Sequence, residues 1–217
     1  MMGRYQYILF DLDGTLTDSA DGIINSVLHA LKKAGIEEDD RKKLEAFVGP
    51  PLTASFMKYY GMTKDEAEAM VPLYREYFSV QGWKENSVYE GIPEVLQKLK
   101  EAGKTLIVAT SKPEVFAKKI MAYFELDQYF AYIGGSSLDG KISSKDQVIN
   151  YVLDVIGRNH MDEMIMVGDR EHDVIGARKN GLPCLGVLYG YGDRPELEQA
   201  GAAVICETVQ ELTEYLL

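Results

Sequence analysis

The chain is short of basic charge. It carries 23 lysines and arginines against 34 aspartates and glutamates, a formal net charge of −11. So acidic a surface repels nucleic acid, whose binding rests on Lys and Arg neutralising phosphates. No nucleic-acid partner is expected. A small anionic substrate is still compatible, because a site can be locally positive. Cysteine is scarce as well. Cys184 and Cys206 lie in apolar company and read as reduced, buried small hydrophobes rather than a disulfide. There is no run of about 18 apolar residues, so no membrane span is expected. The opening MMGRYQYILFDLDG lacks a long apolar stretch and a small-residue cleavage site, and does not read as a signal peptide. Repeats, low-complexity tracts and heptad runs are missing too. These absences lead to the expectation of a cytoplasmic protein with no membrane partner; a monomer is the default, since nothing in the sequence speaks to oligomeric state.

What is there suits a packed globular fold. The 217 residues are 46% apolar, enough for one large domain or a domain with an inserted piece. Continuous apolar runs predict buried parallel strands at residues 5–10, 105–109, 164–167, 184–187 and 203–205. Helical patterns separate them at 93–100, 113–123, 144–156 and 173–179. The first two begin with proline, and the last stops at Asn180-Gly181. Strands alternating with helices argue for an α/β fold with a parallel sheet. Residues 18–85 break the alternation. Helices are expected at 21–34, 41–47, 52–59 and 63–80, the last opened by a Thr63/Glu66 capping box. The expected organisation is a Rossmann-like parallel-sheet core, residues 1–17 and 86–217, with an inserted all-helical cap, residues 18–85.

Ligands bind at the carboxyl ends of strands in open α/β sheets. After the first predicted strand comes Asp11-Leu12-Asp13-Gly14-Thr15. After the second comes Thr110-Ser111-Lys112, and after the third Gly168-Asp169, with Asp173 four residues on. Lys145 opens a helix. Each is ordinary alone: Asp-Gly is a common turn, Thr-Ser a common cap, and a lone lysine a solvated one. Placed together they bring four acids, two hydroxyls and a lysine to one sheet edge. Hard oxygen ligands of this kind suit Mg²⁺ with a substrate phosphate, and the lysine and hydroxyls suit the remaining phosphate oxygens.

On these residues the chain resembles the haloacid dehalogenase-like superfamily of phosphotransferases. Asp11-Leu12-Asp13-Gly14-Thr15-Leu16-Thr17-Asp18 matches its first motif at every fixed position. Thr110 matches the second motif, Lys145 the third, and Asp169 with Asp173 the fourth. The helical insert is similar to the cap of the group that includes phosphoglycolate phosphatase and β-phosphoglucomutase. The resemblance covers the whole chain. It implies that Asp11 attacks phosphorus and forms an aspartyl-phosphate, with Asp13 as general acid and then base. It implies Mg²⁺ held by the Asp11 carboxylate, the Asp13 backbone carbonyl and Asp169, with Asp173 in support. Thr110 and Lys145 would hold the transferring phosphoryl oxygens, helped by backbone N–H groups near Leu12 and Ser111, and Gly14 would let the chain turn close to the phosphate.

Two departures qualify the match. The usual proline soon after the third-motif lysine is missing from Ser143-Ser144-Lys145-Asp146, which makes Lys141 a rival, although Lys145 sits better at a helix start. Arg170, Glu171 and His172 fill the fourth motif where a small hydroxyl is common. Asp18 reads as the gate to the cap. The cap loop Phe47-Val48-Gly49-Pro50-Pro51-Leu52 lacks the arginine that mutase-like relatives use to grip a second phosphate. The expected activity is therefore Mg²⁺-dependent hydrolysis of a small phosphorylated metabolite: phosphoglycolate, a nucleoside monophosphate or a sugar phosphate. The alternatives are a phosphomutase of the β-phosphoglucomutase type and a non-catalytic binding protein on the same fold.

Overall fold

The structure, a computed structural model, describes residues 4–217. The first three residues of the expected core segment lie outside the described ones. The chain divides into two compact units, one of residues up to Asp18 with Val88–Leu217 and one of Ser19–Ser87. In order, the elements are β1 (Tyr7–Phe10), β2 (Thr17–Asp18), α1 (Ala20–Lys33), α2 (Arg41–Glu45), α3 (Leu52–Tyr60), α4 (Lys64–Phe78), β3 (Ser87–Val88), α5 (Ile92–Glu101), β4 (Thr105–Pro113), α6 (Glu114–Tyr123) and β5 (Phe130–Ser136). There follow α7 (Lys145–Ile156), β6 (Met164–Gly168), α8 (Glu171–Lys179), β7 (Cys184–Val187), α9 (Arg194–Ala200), β8 (Val204–Cys206) and α10 (Val209–Leu216).

Six strands form one parallel sheet in the order β5-β4-β1-β6-β7-β8. β1 lies between β4 and β6, with Leu9 level with Ile107 on one side and Met166 on the other. Side chains alternate across a strand. Leu9, Ile107 and Met166 enter one cluster with Val148 and Val152 of α7, Val174 of α8 and Leu197 of α9. The intervening Ile8, Phe10, Leu106, Val108, Ile165 and Val167 are buried too. Both faces of the sheet are therefore covered, which is why these strands read as unbroken apolar runs. Each such side chain contributes about 1.5–3 kcal/mol by burial, so β1 is a firm mount for the loop that begins at Asp11. The strand order reverses around β1, and a crevice opens at the carboxyl ends of strands at such a switch point.

Two expectations about the core need correction. The expected strand at 105–109 runs on to Pro113, with a register shift against β5 between Thr110 and Pro113. Thr110, Ser111 and Lys112 thus belong to the strand end, and Pro113 both closes the strand and stands as the N-cap of α6. The edge strand β5 was not expected from the sequence: Phe130-Ala131-Tyr132-Ile133-Gly134-Gly135 has two glycines and a short apolar run, a weak strand signal.

The second unit holds α1 to α4. Its apolar centre is made by Ile23, Val27 and Leu31 of α1, Phe56 of α3, and Met70, Tyr74 and Phe78 of α4. Thr63 and Glu66 form the expected capping box, and α4 continues through Pro72. No described helix is long and apolar enough to cross a membrane. Both cysteines are buried and free.

Candidate active site

The sheet ladder runs one residue past β1, because the Asp11 N–H donates to the Val167 carbonyl at 2.9 Å. The chain then folds tightly over the Leu12 carbonyl, which accepts from the N–H groups of Thr15, Leu16 and Thr17. Gly14 lies at φ +82°, in the left-handed region that glycine enters without cost. A Cβ there would also fall 2.2 Å from Asp169 Oδ2. Glycine is needed twice, for the turn and for the close approach of the fourth-motif acid. The Thr15 hydroxyl donates to Asp169 Oδ1 at 3.1 Å and ties the first loop to the loop after β6.

Lys145 opens α7 behind a Ser144/Gln147 capping box. Its Nζ lies 2.8 Å from Asp11 Oδ1 and 2.8 Å from Asp173 Oδ1, and donates to the Ala109 carbonyl at 3.1 Å. An ammonium has three donors, and three protein oxygens crowd this one. Burial works against the charge of Lys145, but Asp11 and Asp173 outweigh it and raise its pKa above the usual lysine value. The rival Lys141 is a surface residue, 2.9 Å from Asp139. The structure brings Lys145 into the cluster and leaves Lys141 outside.

β6 ends at Gly168 and α8 begins at Glu171, so Asp169 sits in the turn and Asp173 in the first helical turn. Asp173 Oδ2 accepts the Arg170 N–H at 3.1 Å. Asp11, Asp169 and Asp173 each offer an oxygen, all within 4.8 Å of one another. Burial pushes the Asp169 carboxyl well above the usual carboxylate range, with Asp173 and Asp11 adding to the shift. Burial also pushes Asp173 up to about 6, against the pull of Lys145. Three buried carboxyls this close cannot all ionise without added positive charge. An all-oxygen donor set of this kind fits Mg²⁺.

Asp13 lies outside that triad. One of its oxygens, Oδ2, is 2.9 Å from Lys112 Nζ, and the other, Oδ1, is buried without a hydrogen-bond partner. Thr110 is buried, and its hydroxyl oxygen accepts the Lys112 N–H at 3.2 Å. Ser111 is only partly buried, as alternation along β4 requires. The Leu12 N–H, expected to assist a phosphoryl oxygen, donates to Asp11 Oδ1 at 2.7 Å.

Sequence reasoning named Lys112 without giving it a role, and passed over the segment after β7. A period of two along β4 puts Lys112 on the side of Thr110, and that signal could have found it. Nothing in the sequence marks Tyr191. Its N–H donates to Asp169 Oδ2 at 2.9 Å and its hydroxyl to Asp18 Oδ1 at 2.5 Å. The carboxylate of Asp169 is thus held at both oxygens, by Thr15 and by Tyr191. Arg170 pairs with Glu196 of α9 at 2.8 Å, so it braces the loop. His172 is partly buried, and burial lowers its pKa. An open groove of about 520 Å³ along α7, lined by Lys141, Asp146, Asn150, Asp154 and Lys179 among others, contains none of the four clustered acids. We place the site at the strand ends because the buried charges converge there.

A family model described as haloacid dehalogenase-like hydrolase matches residues 8–187. The chain belongs to that family. Among haloacid dehalogenase-like relatives, a 5'-nucleotidase of Pseudomonas aeruginosa is 46% identical over 98% of this chain and 96% of its own length. A tyrosine-protein kinase of Mycobacterium tuberculosis is 39% identical over 97% of this chain and 72% of its own. A crystal structure from Clostridium acetobutylicum, described as a predicted phosphatase, superposes with a TM-score of 0.94 at 52% identity, covering 96% of each chain.

Proposed function

We propose that this hydrolase is a phosphatase that cleaves a small phosphorylated metabolite through an aspartyl-phosphate on Asp11. The observation that carries the reading is the buried cluster of Asp11, Asp169 and Asp173 around Lys145 at the carboxyl ends of β1 and β6. Such an arrangement suits phosphoryl transfer, where catalysis is mostly positioning and charge neutralisation.

Asp11 is the nucleophile. Its backbone is fixed by the sheet ladder, and Lys145 and the Leu12 N–H both hold Oδ1, which leaves Oδ2 to attack. Asp13 gives a proton to the leaving oxygen and later takes one from the water that opens the aspartyl-phosphate. Asp11, the Asp13 backbone carbonyl and Asp169 would hold Mg²⁺, with Asp173 keeping Lys145 in place. Bound there, Mg²⁺ would supply positive charge to offset the carboxylates and the phosphate. Thr110 and the backbone at Ser111 are the remaining groups for phosphoryl oxygens, since the Leu12 N–H is taken by Asp11 Oδ1.

Among substrates, a nucleoside 5'-monophosphate is the first choice, supported by the 46% identity to a 5'-nucleotidase over nearly the whole chain. A second reading, in which a tyrosine phenol replaces water as acceptor, is favoured by the 39% identical tyrosine-protein kinase. It shares the first step and differs only in what attacks the aspartyl-phosphate. A phosphomutase is less well supported, because Gly49-Pro50-Pro51-Leu52 carries no arginine for a second phosphate. The test is phosphate release from a panel of nucleotides, phosphoglycolate and sugar phosphates, with Mg²⁺ and with EDTA, with tyrosyl phosphorylation followed in parallel. Release confined to Mg²⁺ and fastest on nucleoside monophosphates is the expected result. Phosphate release unaffected by EDTA overturns the metal, and phosphotyrosine without release overturns hydrolysis.

A further inference from the structure

We propose that Lys112 is the positioning residue for Asp13, holding one oxygen of its carboxylate so that the other faces the leaving group. This rests on the reading of Asp13 as the acid that protonates that group. Three observations carry it. Lys112 Nζ lies 2.9 Å from Asp13 Oδ2, and both side chains are almost fully buried, 4% and 8% exposed. A lysine this deep needs a partner, because its charge is costly to desolvate. Asp13 Oδ1 meanwhile has no hydrogen-bond partner although it is buried. Buried carboxylate oxygens are seldom left so, and an oxygen reserved for the proton that passes to the leaving group accounts for it.

The backbone of Lys112 is itself fixed. Its N–H donates to Thr110 Oγ1 at 3.2 Å. On the neighbouring strand, a Cβ at Gly135 would fall 2.5 Å from the Lys112 carbonyl. A side chain at 135 would push Lys112 aside, so glycine there lets β5 close against the site. The two lysines of the site thus divide the work. Lys145 holds the nucleophile Asp11, and Lys112 holds the acid Asp13. Neither is consumed: in the first step the proton on Asp13 passes to the departing oxygen as the P–O bond breaks, and Lys112 keeps its own protons throughout.

Leaving-group dependence tests this, because a poor leaving group needs the proton and a good one does not. The measurement is kcat/KM of the Mg²⁺-loaded enzyme on phenyl phosphate and on p-nitrophenyl phosphate. Lys112→Met is expected to lose at least about tenfold more on phenyl phosphate than on p-nitrophenyl phosphate, while Lys112→Arg recovers much of the difference. Asp13→Asn should show the same skew, more strongly. An equal fall on both substrates, as from general loosening or from a lost phosphate grip that raises KM alike, overturns the role of Lys112. If Lys112→Met does not fold, Lys112→Gln carries the same comparison. A skew in Asp13→Asn with none in the Lys112 variants sinks this inference and leaves the mechanism standing. No skew in Asp13→Asn sinks the acid role of Asp13 itself, and this inference with it.

Discussion

The sheet-edge loops and the helical unit spend their charged residues differently. All six charged side chains that are buried among the described residues, Asp11, Asp13, Lys112, Lys145, Asp169 and Asp173, lie in the sheet unit. In Ser19–Ser87 the buried polar residues are the serines Ser19, Ser26 and Ser55. Its ion pairs, such as Arg41 with Asp21 and Lys33 with Glu76, are on the surface. Even Lys43, which reaches Glu38 and lies over the Tyr60 ring, is partly exposed. Buried like charges are unfavourable for stability. The sheet unit tolerates them at one place, where it has strand ends to mount them and lysines to offset them. The helical unit follows the ordinary rule of apolar inside and charge outside.

That contrast breaks most sharply at Asp11. Asp11→Asn is expected to lower phosphate release by on the order of 10⁴-fold or more, read in a steady-state assay, and to abolish the covalent phosphate seen by mass spectrometry of quenched wild-type enzyme. Residual turnover near wild type would end the nucleophile assignment. Lys145→Met comes next. It strands Asp11 and Asp173 without their cation, and breaking a buried pair costs about 3–5 kcal/mol. Urea unfolding should show the loss in the metal-free protein. A surface change in the helical unit, Arg41→Met, should leave both activity and midpoint nearly unchanged.

Metal and pH sharpen the comparison further. Asp173 is raised to about 6 in the folded chain, and Asp169 is raised as well, against about 4 for an unfolded aspartate. Between those values the folded protein binds more protons than the unfolded one. The stability of the metal-free protein from this source is therefore full below about pH 4 and falls as pH rises toward about 6. Mg²⁺ competes with those protons, so its stabilising effect grows over the same range. Melting curves with EDTA and with Mg²⁺ should diverge as pH increases. A constant gap would mean that these carboxyls are not the ligands. The smallest effect belongs to the helical unit: Thr63→Ala removes a cap worth about 1 kcal/mol, lowering the melting temperature while kcat on any substrate holds.

The sequence was most informative where chemistry and local structure coincide. Asp11, Asp13 and Gly14 follow an apolar strand with no gap, Asp169 and Asp173 bracket a helix start, and a parallel sheet brings such ends together. In residues 19–87, α1 was legible from its apolar stripe and α4 from the Thr63/Glu66 box, with two shorter helical pieces between them. β5 was not, because an edge strand with two glycines has little local preference, and its pairing with β4 comes from tertiary contact. The end of β4 was placed too early for a related reason: Pro113 is a helix start, the N-cap of α6, and the strand runs right up to it.

By itself, the sequence carried the alternation of β1, β4, β6, β7 and β8 with helices, the family and a set of candidate acids, since each shows in short local stretches of the chain. The fold alone decided the partners of those acids. Lys145 rather than Lys141 meets Asp11 and Asp173 because the start of α7 buries Lys145, while Lys141 stays in solvent in the loop before the helix. Lys112 reaches Asp13 because β4 and β1 are adjacent. Tyr191 grips Asp169 and Asp18 across more than 20 and more than 170 residues of chain. Contacts so distant in sequence carry no periodic signal, and they form only once the assembled sheet has set its strand ends side by side.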